Sequence, residues 1–194
     1  MNTKEVVAVI GASESIGSAI AKSISKGNYR VLLQSVNFEK VQCIADEIRK
    51  GNSNSDVDAV PSAMEASWEA DIIILAIPYA AEKNVAQDIS KVVNQKIVVS
   101  VSSPVNDVHT ASLTLPCSSA EELQTLLPHS KVIKVFSTAF TNGLNEPAIN
   151  GPWLDCFIAG NDKEALQSVS DLVKAAGFNP VTVGNLAGKN ATSA

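Results

Sequence analysis

The chain has 194 residues, 45% of them hydrophobic, and a formal net charge of -5. That apolar content is ample for a single core. The 15 basic residues are scattered, whereas a nucleic-acid backbone calls for clustered Lys and Arg. No apolar run approaches the roughly 20 residues of a membrane span, the longest covering 72–77. Met1-Asn2-Thr3-Lys4-Glu5 enters the first strand without a signal-peptide core. The expectation is one cytoplasmic domain over 1–194, with neither nucleic acid nor membrane among its partners. Cys43, Cys117 and Cys156 are odd in number and lack metal-ligand spacing, which predicts reduced structural thiols and no metal.

The first strand, Val6-Val7-Ala8-Val9-Ile10, runs into Gly11-Ala12-Ser13-Glu14-Ser15-Ile16-Gly17 and then a helical pattern over 18–25. This is the layout of a dinucleotide-binding βα turn, the alternative being a purely structural turn. Glycines at 11 and 17 let the chain reverse tightly and let helix and strand pack closely, while N–H groups at the helix start hold a pyrophosphate. The middle glycine of such turns is missing, and Glu14 puts a carboxylate near the phosphate position. Strand two is read over 29–34 and a helix over 37–50, and Gly51-Asn52-Ser53-Asn54-Ser55 is a flexible turn before strand three at 57–60. Pro61 opens a helix through 68, 71–77 is a buried fourth strand, and Pro78 starts a helix to 93. Strand five follows over 96–101, a helix over 118–127, strand six over 131–136, a further strand over 153–159, a helix over 162–176 and a last strand over 179–183. Such alternation predicts a Rossmann-like, doubly wound, mostly parallel α/β sheet of about eight strands in three layers, with its ligand crevice at the carboxyl ends of strands one and four. The direction of the last two strands is left open by the pattern.

Residues just after a parallel strand face that crevice, so Pro78-Tyr79, Ser102-Ser103-Pro104, His109 and Ser137-Thr138 are expected around the ligand, the last two in a substrate pocket. His129 precedes strand six and faces away. The stretch 102–117 carries Pro104, Asn106-Asp107 and Pro116, which suits either a cover over a bound cofactor or a solvated surface loop. His109 and Tyr79 are the candidate proton donors, with no recognisable partner beside His109. Enzymes that prefer NAD place an acidic residue at the end of strand two, on the ribose hydroxyls. Gln34-Ser35-Val36-Asn37-Phe38-Glu39-Lys40 instead offers neutral donors followed by one lysine. NADP is therefore favoured over NAD, the alternative being an ordinary helix start with Asn37 as N-cap.

Several separated stretches, taken in order, resemble a known family over nearly the whole chain. They are Val7-Ala8-Val9-Ile10-Gly11 with Ile16-Gly17-Ser18-Ala19-Ile20-Ala21, Ala70-Asp71-Ile72-Ile73-Ile74-Leu75-Ala76-Ile77-Pro78-Tyr79, Leu126-Leu127-Pro128, Lys131-Val132-Ile133-Lys134-Val135-Phe136-Ser137-Thr138, Phe157-Ile158-Ala159-Gly160-Asn161-Asp162, and Ala175-Ala176-Gly177-Phe178 with Pro180-Val181 and Val183-Gly184. Together they resemble the small NADP oxidoreductases typified by the NADPH-dependent reductase of the deazaflavin coenzyme F-420. By that resemblance Gly11, Ala12, Ser13, Ser15, Ile16 and Gly17 hold the pyrophosphate of NADP(H), and Ser35, Val36, Asn37 and Lys40 receive the 2′-phosphate. Ala76, Ile77 and Pro78, with Ser102, Ser103 and Pro104, line the nicotinamide side.

Departures from the family pattern fall at these same places. Glu14 replaces a glycine, Val36 the usual arginine, Ser100-Val101-Ser102-Ser103-Pro104 a stretch that normally carries Asp, Thr and Asn, and Ser137 an Asn. The chain also stops soon after Gly184, before the helix that usually ends the family. Tyr79-Ala80-Ala81-Glu82-Lys83 matches the Tyr-x-x-x-Lys spacing of short-chain dehydrogenases, but it opens the helix directly after strand four, the wrong place for that family. The expected activity is hydride transfer between NADP(H) and a deazaflavin (coenzyme F-420) or flavin acceptor, which needs positioning more than a catalytic acid. The alternatives are an NADPH-dependent carbonyl or imine reductase and a non-catalytic nucleotide-binding or interaction module. A small-molecule redox acceptor is the expected partner, and a homodimer is a compatible assembly.

Overall fold

The computed structural model describes residues 4–102, 119–136 and 153–186. Within them the elements run β1 (Glu5–Ile10), α1 (Ser15–Ile24), β2 (Tyr29–Gln34), α2 (Phe38–Gly51), β3 (Asp56–Ala59), α3 (Ala63–Glu69), β4 (Ile72–Leu75), α4 (Tyr79–Ile89), β5 (Ile97–Ser100), α5 (Ser119–Leu126), β6 (Lys131–Phe136), β7 (Asp155–Gly160), α6 (Lys163–Ala175) and β8 (Asn179–Gly184). Every predicted strand and helix is present, with two informative shifts of boundary. α1 begins at Ser15 rather than 18, because Glu14 takes an extended conformation and its carbonyl already accepts the Ser18 N–H at 2.9 Å. The first helical turn therefore lies inside the glycine turn itself. α4 ends at Ile89 rather than 93: the chain bends where the Val92 N–H meets the Ile89 carbonyl at 2.9 Å and reverses at Gln95, whose φ is 63°.

The helices start and stop for local reasons. Asn37, Ser62 and Asp162 cap α2, α3 and α6, each accepting the N–H three residues on, from Lys40, Glu65 and Ala165. Val41, Ile44, Ala45 and Ile48 recur at helical spacing and form the buried face of α2. At the far end of α3 the Lys96 ammonium donates to the Ser67 and Trp68 carbonyls, placing a cation where the helix dipole is negative.

All eight strands join one sheet in the order β3-β2-β1-β4-β5-β6-β7-β8. β1 to β6 are parallel, β7 runs antiparallel to β6, and β8 runs parallel to β7. The strand direction left open by the sequence is thus settled: the last two agree with each other and oppose the rest. β4 in particular is buried throughout, as a central parallel strand covered on both faces requires. Alternate residues feed two cores. Val7, Val9, Val31 and Leu33 pack toward α1, α2 and α6, while Ala8, Ile10, Leu32 and Leu75 pack toward α3, α4 and α5. Burial pushes the Cys156 thiol in the first core up to about 12, so it stays protonated and inert, while Cys43 sits exposed on α2.

The chain winds outward from β1 to β3, then crosses back to β4 on the other side of β1. That reversal opens a crevice at the carboxyl ends of β1 and β4. The register lays Gln34, Ile10, Leu75, Ser100 and Lys134 in one row across five strands at this edge, so residues distant in sequence form a single rim.

Candidate functional site

The β1 end of the rim is shaped by main chain. Gly11 sits at φ 92°, where a side chain is strained, and an added Cβ would lie 2.3 Å from the Ala76 carbonyl oxygen. Gly17 needs to be bare for a second reason: its Cβ would fall 2.2 Å from the Gly11 carbonyl oxygen. The N–H groups of Gly11 and Ala12 both donate to the Gln34 carbonyl, at 2.8 and 2.9 Å, and Ala76 donates to Ile10 at 2.8 Å. The turn is thereby clamped between β2 and β4 before any ligand arrives. Glu14 has φ -82° and ψ 163°, an ordinary conformation for a residue with a side chain. The missing glycine therefore costs no backbone strain, and what changes is the charge. Glu14 is exposed, is the N-cap of α1, and makes no side-chain capping bond. The N–H groups of Ser15, Ile16 and Gly17 lack intrahelical acceptors and remain a positive end suited to an anion.

Past β2 the chain offers a mixed surface. Ser35 is buried, and its hydroxyl lies 2.6 Å from that of Ser13, which ties the glycine turn to the segment that follows. Val36 is fully exposed at 103%. The Asn37 carboxamide oxygen is used as the α2 cap, accepting the Lys40 N–H at 3.0 Å. Lys40 is exposed one turn into the helix. Ser35, Asn37 and Lys40 thus follow one another from the end of β2 into the first turn of α2, and no acidic side chain stands between Gln34 and Phe38.

Toward β4 to β6, Ala76 is buried, Ile77 half-buried and Pro78 exposed at the start of α4. The Tyr79 hydroxyl donates to Glu122 at 2.5 Å, linking α4 to α5. Ser102 is buried at 8% exposure, and among the described residues its hydroxyl has no hydrogen-bond partner. Ser103, Pro104, His109, Cys117, Ser137 and Thr138 lie outside the described residues. His129 is at the opposite edge, its carbonyl accepting the Gln95 N–H at 2.7 Å, as its place before β6 predicts. Among the described residues no group of three or more His, Cys, Asp or Glu side chains is arranged to hold a metal, and no helix is long and apolar enough to cross a membrane.

Sequence reasoning missed three side chains at this end. Glu82, only 3% exposed on α4, accepts the Ser100 hydroxyl at 2.7 Å. The Lys134 ammonium on β6 donates to that same hydroxyl at 2.9 Å and to the Ser102 carbonyl. Burial lowers the Lys134 pKa from its ordinary value, and Glu82 pushes it back up. One signal for this cluster stood in the sequence: a lysine within Val132-Ile133-Lys134-Val135-Phe136, which a buried strand tolerates only with a partner.

The uncapped helix end, the bare glycines and the orphaned Ser102 hydroxyl fit a dinucleotide laid across the carboxyl edge. Residues 6–104 match the family described as NADP oxidoreductase, coenzyme F420-dependent. The chain is 28% identical over 189 residues to the F420-dependent NADP reductase of Methanocaldococcus jannaschii, covering 93% of this chain and 84% of that protein. It is also similar to a crystal structure of a hypothetical protein from Sinorhizobium meliloti, with 24% identity, a TM-score of 0.74, and coverage of 95% of this chain and 87% of that one. A protein from Arthrobacter proposed to be an F420-dependent NADP reductase gives 18% identity, a TM-score of 0.72, and coverage of 95% and 86%. These two structural likenesses support the fold.

Proposed function

We propose a function on one premise: the chain belongs to the family of coenzyme F420-dependent NADP oxidoreductases, whose model spans residues 6–104. It is an NADP-dependent oxidoreductase. The finer reading is that it passes hydride between NADP(H) and a deazaflavin or flavin-type acceptor. When bound, NADPH supplies the hydride from its nicotinamide ring. The protein's own part is to hold and orient. The N–H groups at the start of α1 receive the pyrophosphate, Ser35 and Lys40 lie by the 2′-phosphate, and the β4 and β5 ends form the nicotinamide side. Ring-to-ring hydride transfer needs proximity and water exclusion more than an acid. The observation that carries this reading is the preformed turn from Gly11 to Gly17, in which an added Cβ at either glycine would fall within 2.5 Å of a carbonyl oxygen and the helix end between them has no side-chain cap.

The test is oxidation of NADPH by the purified chain, followed by loss of reduced-nicotinamide absorbance, with a deazaflavin, a flavin, and carbonyl and imine compounds offered in parallel. Turnover with deazaflavin or flavin and none with the others is expected. Turnover only with carbonyl or imine compounds would move the assignment to that class. NADPH binding without turnover of any acceptor would favour a nucleotide-binding module.

A further inference from the structure

The row at the carboxyl edge ends in a cluster that the proposed binding of NADP(H) does not by itself explain. Lys134 and Ser100 are register partners on β6 and β5, and Glu82 reaches them from α4. The proton order is internally consistent: the ammonium donates to the Ser100 hydroxyl, which in turn donates to the carboxylate. Apolar residues would fill this space with no desolvation penalty, and a buried ionic pair is weak evidence for stability. Such a group earns another explanation when it fixes something nearby. Here it does: Lys134 also donates to the carbonyl of Ser102, the residue whose hydroxyl is nine-tenths buried and without a hydrogen-bond partner among the described residues. Buried hydroxyls are normally satisfied, so one held in place and left unpaired at the mouth of a crevice is set to meet something that enters it.

We propose that Lys134, braced by Ser100 and Glu82, is a positioning residue that fixes the β5 end so that the Ser102 hydroxyl meets the carboxamide end of the nicotinamide, giving affinity for that half of the dinucleotide. The inference rests on the reading of the crevice as an NADP(H) site. It gives Lys134 no contact with the dinucleotide: the lysine acts through the Ser102 main chain. Glu82 keeps the lysine's charge compensated, and Ser100 transmits the contact.

The probes are NADPH and 2′-phospho-ADP-ribose, which keeps both phosphate ends and lacks the nicotinamide. Dissociation constants for both are measured on the full chain as wild type, Ser102→Ala, Ser102→Thr, Lys134→Met and the double variant Glu82→Gln with Lys134→Met, with the emission of bound NADPH recorded in each. Wild type binds NADPH about tenfold more tightly than the fragment, the size of one well-made polar contact. Ser102→Ala and the lysine variants weaken NADPH about five- to tenfold, shift its bound emission, and leave the fragment within about twofold, while Ser102→Thr retains wild-type affinity. If Lys134→Met does not fold, the double variant, which strands no buried charge, supplies the value. Parallel weakening of both probes, or unchanged NADPH affinity in Ser102→Ala and the double variant, overturns the inference and leaves the NADP(H) reading standing. Wild type that binds neither probe overturns both.

Discussion

At the β1 end of the crevice the shape is made by main chain: Gly11 and Ala12 share one carbonyl from Gln34, and Gly17 rests on Gly11. At the β4 to β6 end it is made by side chains, with Lys134, Ser100 and Glu82 drawn from two strands and a helix that lie 34 and 18 residues apart. The two constructions fail differently. A main-chain turn accepts a foreign side chain such as Glu14 without strain but accepts no Cβ at its glycines. A side-chain cluster has room for substitution but only in compensating pairs, since removing one charge strands the other.

The sharpest way to break the comparison is Gly11→Ala. Positive φ and a carbonyl at 2.3 Å from the new Cβ act together, so a loss of about 3 kcal/mol and a Tm fall of roughly 6–12 °C are expected by thermal unfolding. A silent substitution would show that the turn is soft. At the other end, Lys134→Met should cost about 2 kcal/mol, and adding Glu82→Gln should restore at least half of it, because the carboxylate left buried at 3% exposure is then neutral. Additive losses in a double-mutant cycle would mean that Lys134 and Glu82 are independent.

Smaller effects are expected where side chains only decorate the main-chain frame. Glu14→Gly should tighten NADPH about three- to tenfold by removing a carboxylate beside the uncapped helix end, the range being modest because the group is solvent-screened. Lys40→Ala should weaken NADPH several-fold, leave NADH nearly unchanged and flatten the salt dependence of NADPH binding. Equal weakening of both nucleotides would make Lys40 a helix residue and no more. Smallest of all is a pH effect remote from the crevice. The Ala165 N–H, together with Lys131, holds the Asp162 carboxyl below its ordinary pKa, so its stabilisation is present above that ordinary value and is lost as pH falls through the lowered one. Asp162→Asn should keep the α6 cap near neutral pH and remove this part of the acid-range loss, with no change in NADPH affinity.

The contrast also explains what was legible beforehand. The spans 29–34 and 131–136 coincide with β2 and β6, because apolar strands bounded by turn residues announce themselves locally. The Gly11 to Gly17 turn was equally plain, since its requirements fall within seven consecutive positions. The start of α1 was missed because Glu14 and Ser15 carry no apolar period, only a cap conformation. Glu82 was unreadable: at the start of a helix a glutamate is ordinarily a solvated residue favoured by the dipole, and only the packing of α4 over β5 buries it. The orientation of β7 depended on pairing across the sheet rather than on any pattern within its own six residues.

The central claim, that the main-chain turn is a preformed NADPH site, is tested most directly by thermal unfolding of the wild-type chain with and without nucleotide. Binding to the folded state alone predicts about 2.7 kcal/mol of added stability at a hundred times the dissociation constant, seen as a rise in Tm that saturates with NADPH and needs more NADH to match. An unchanged Tm at millimolar NADPH would contradict the account.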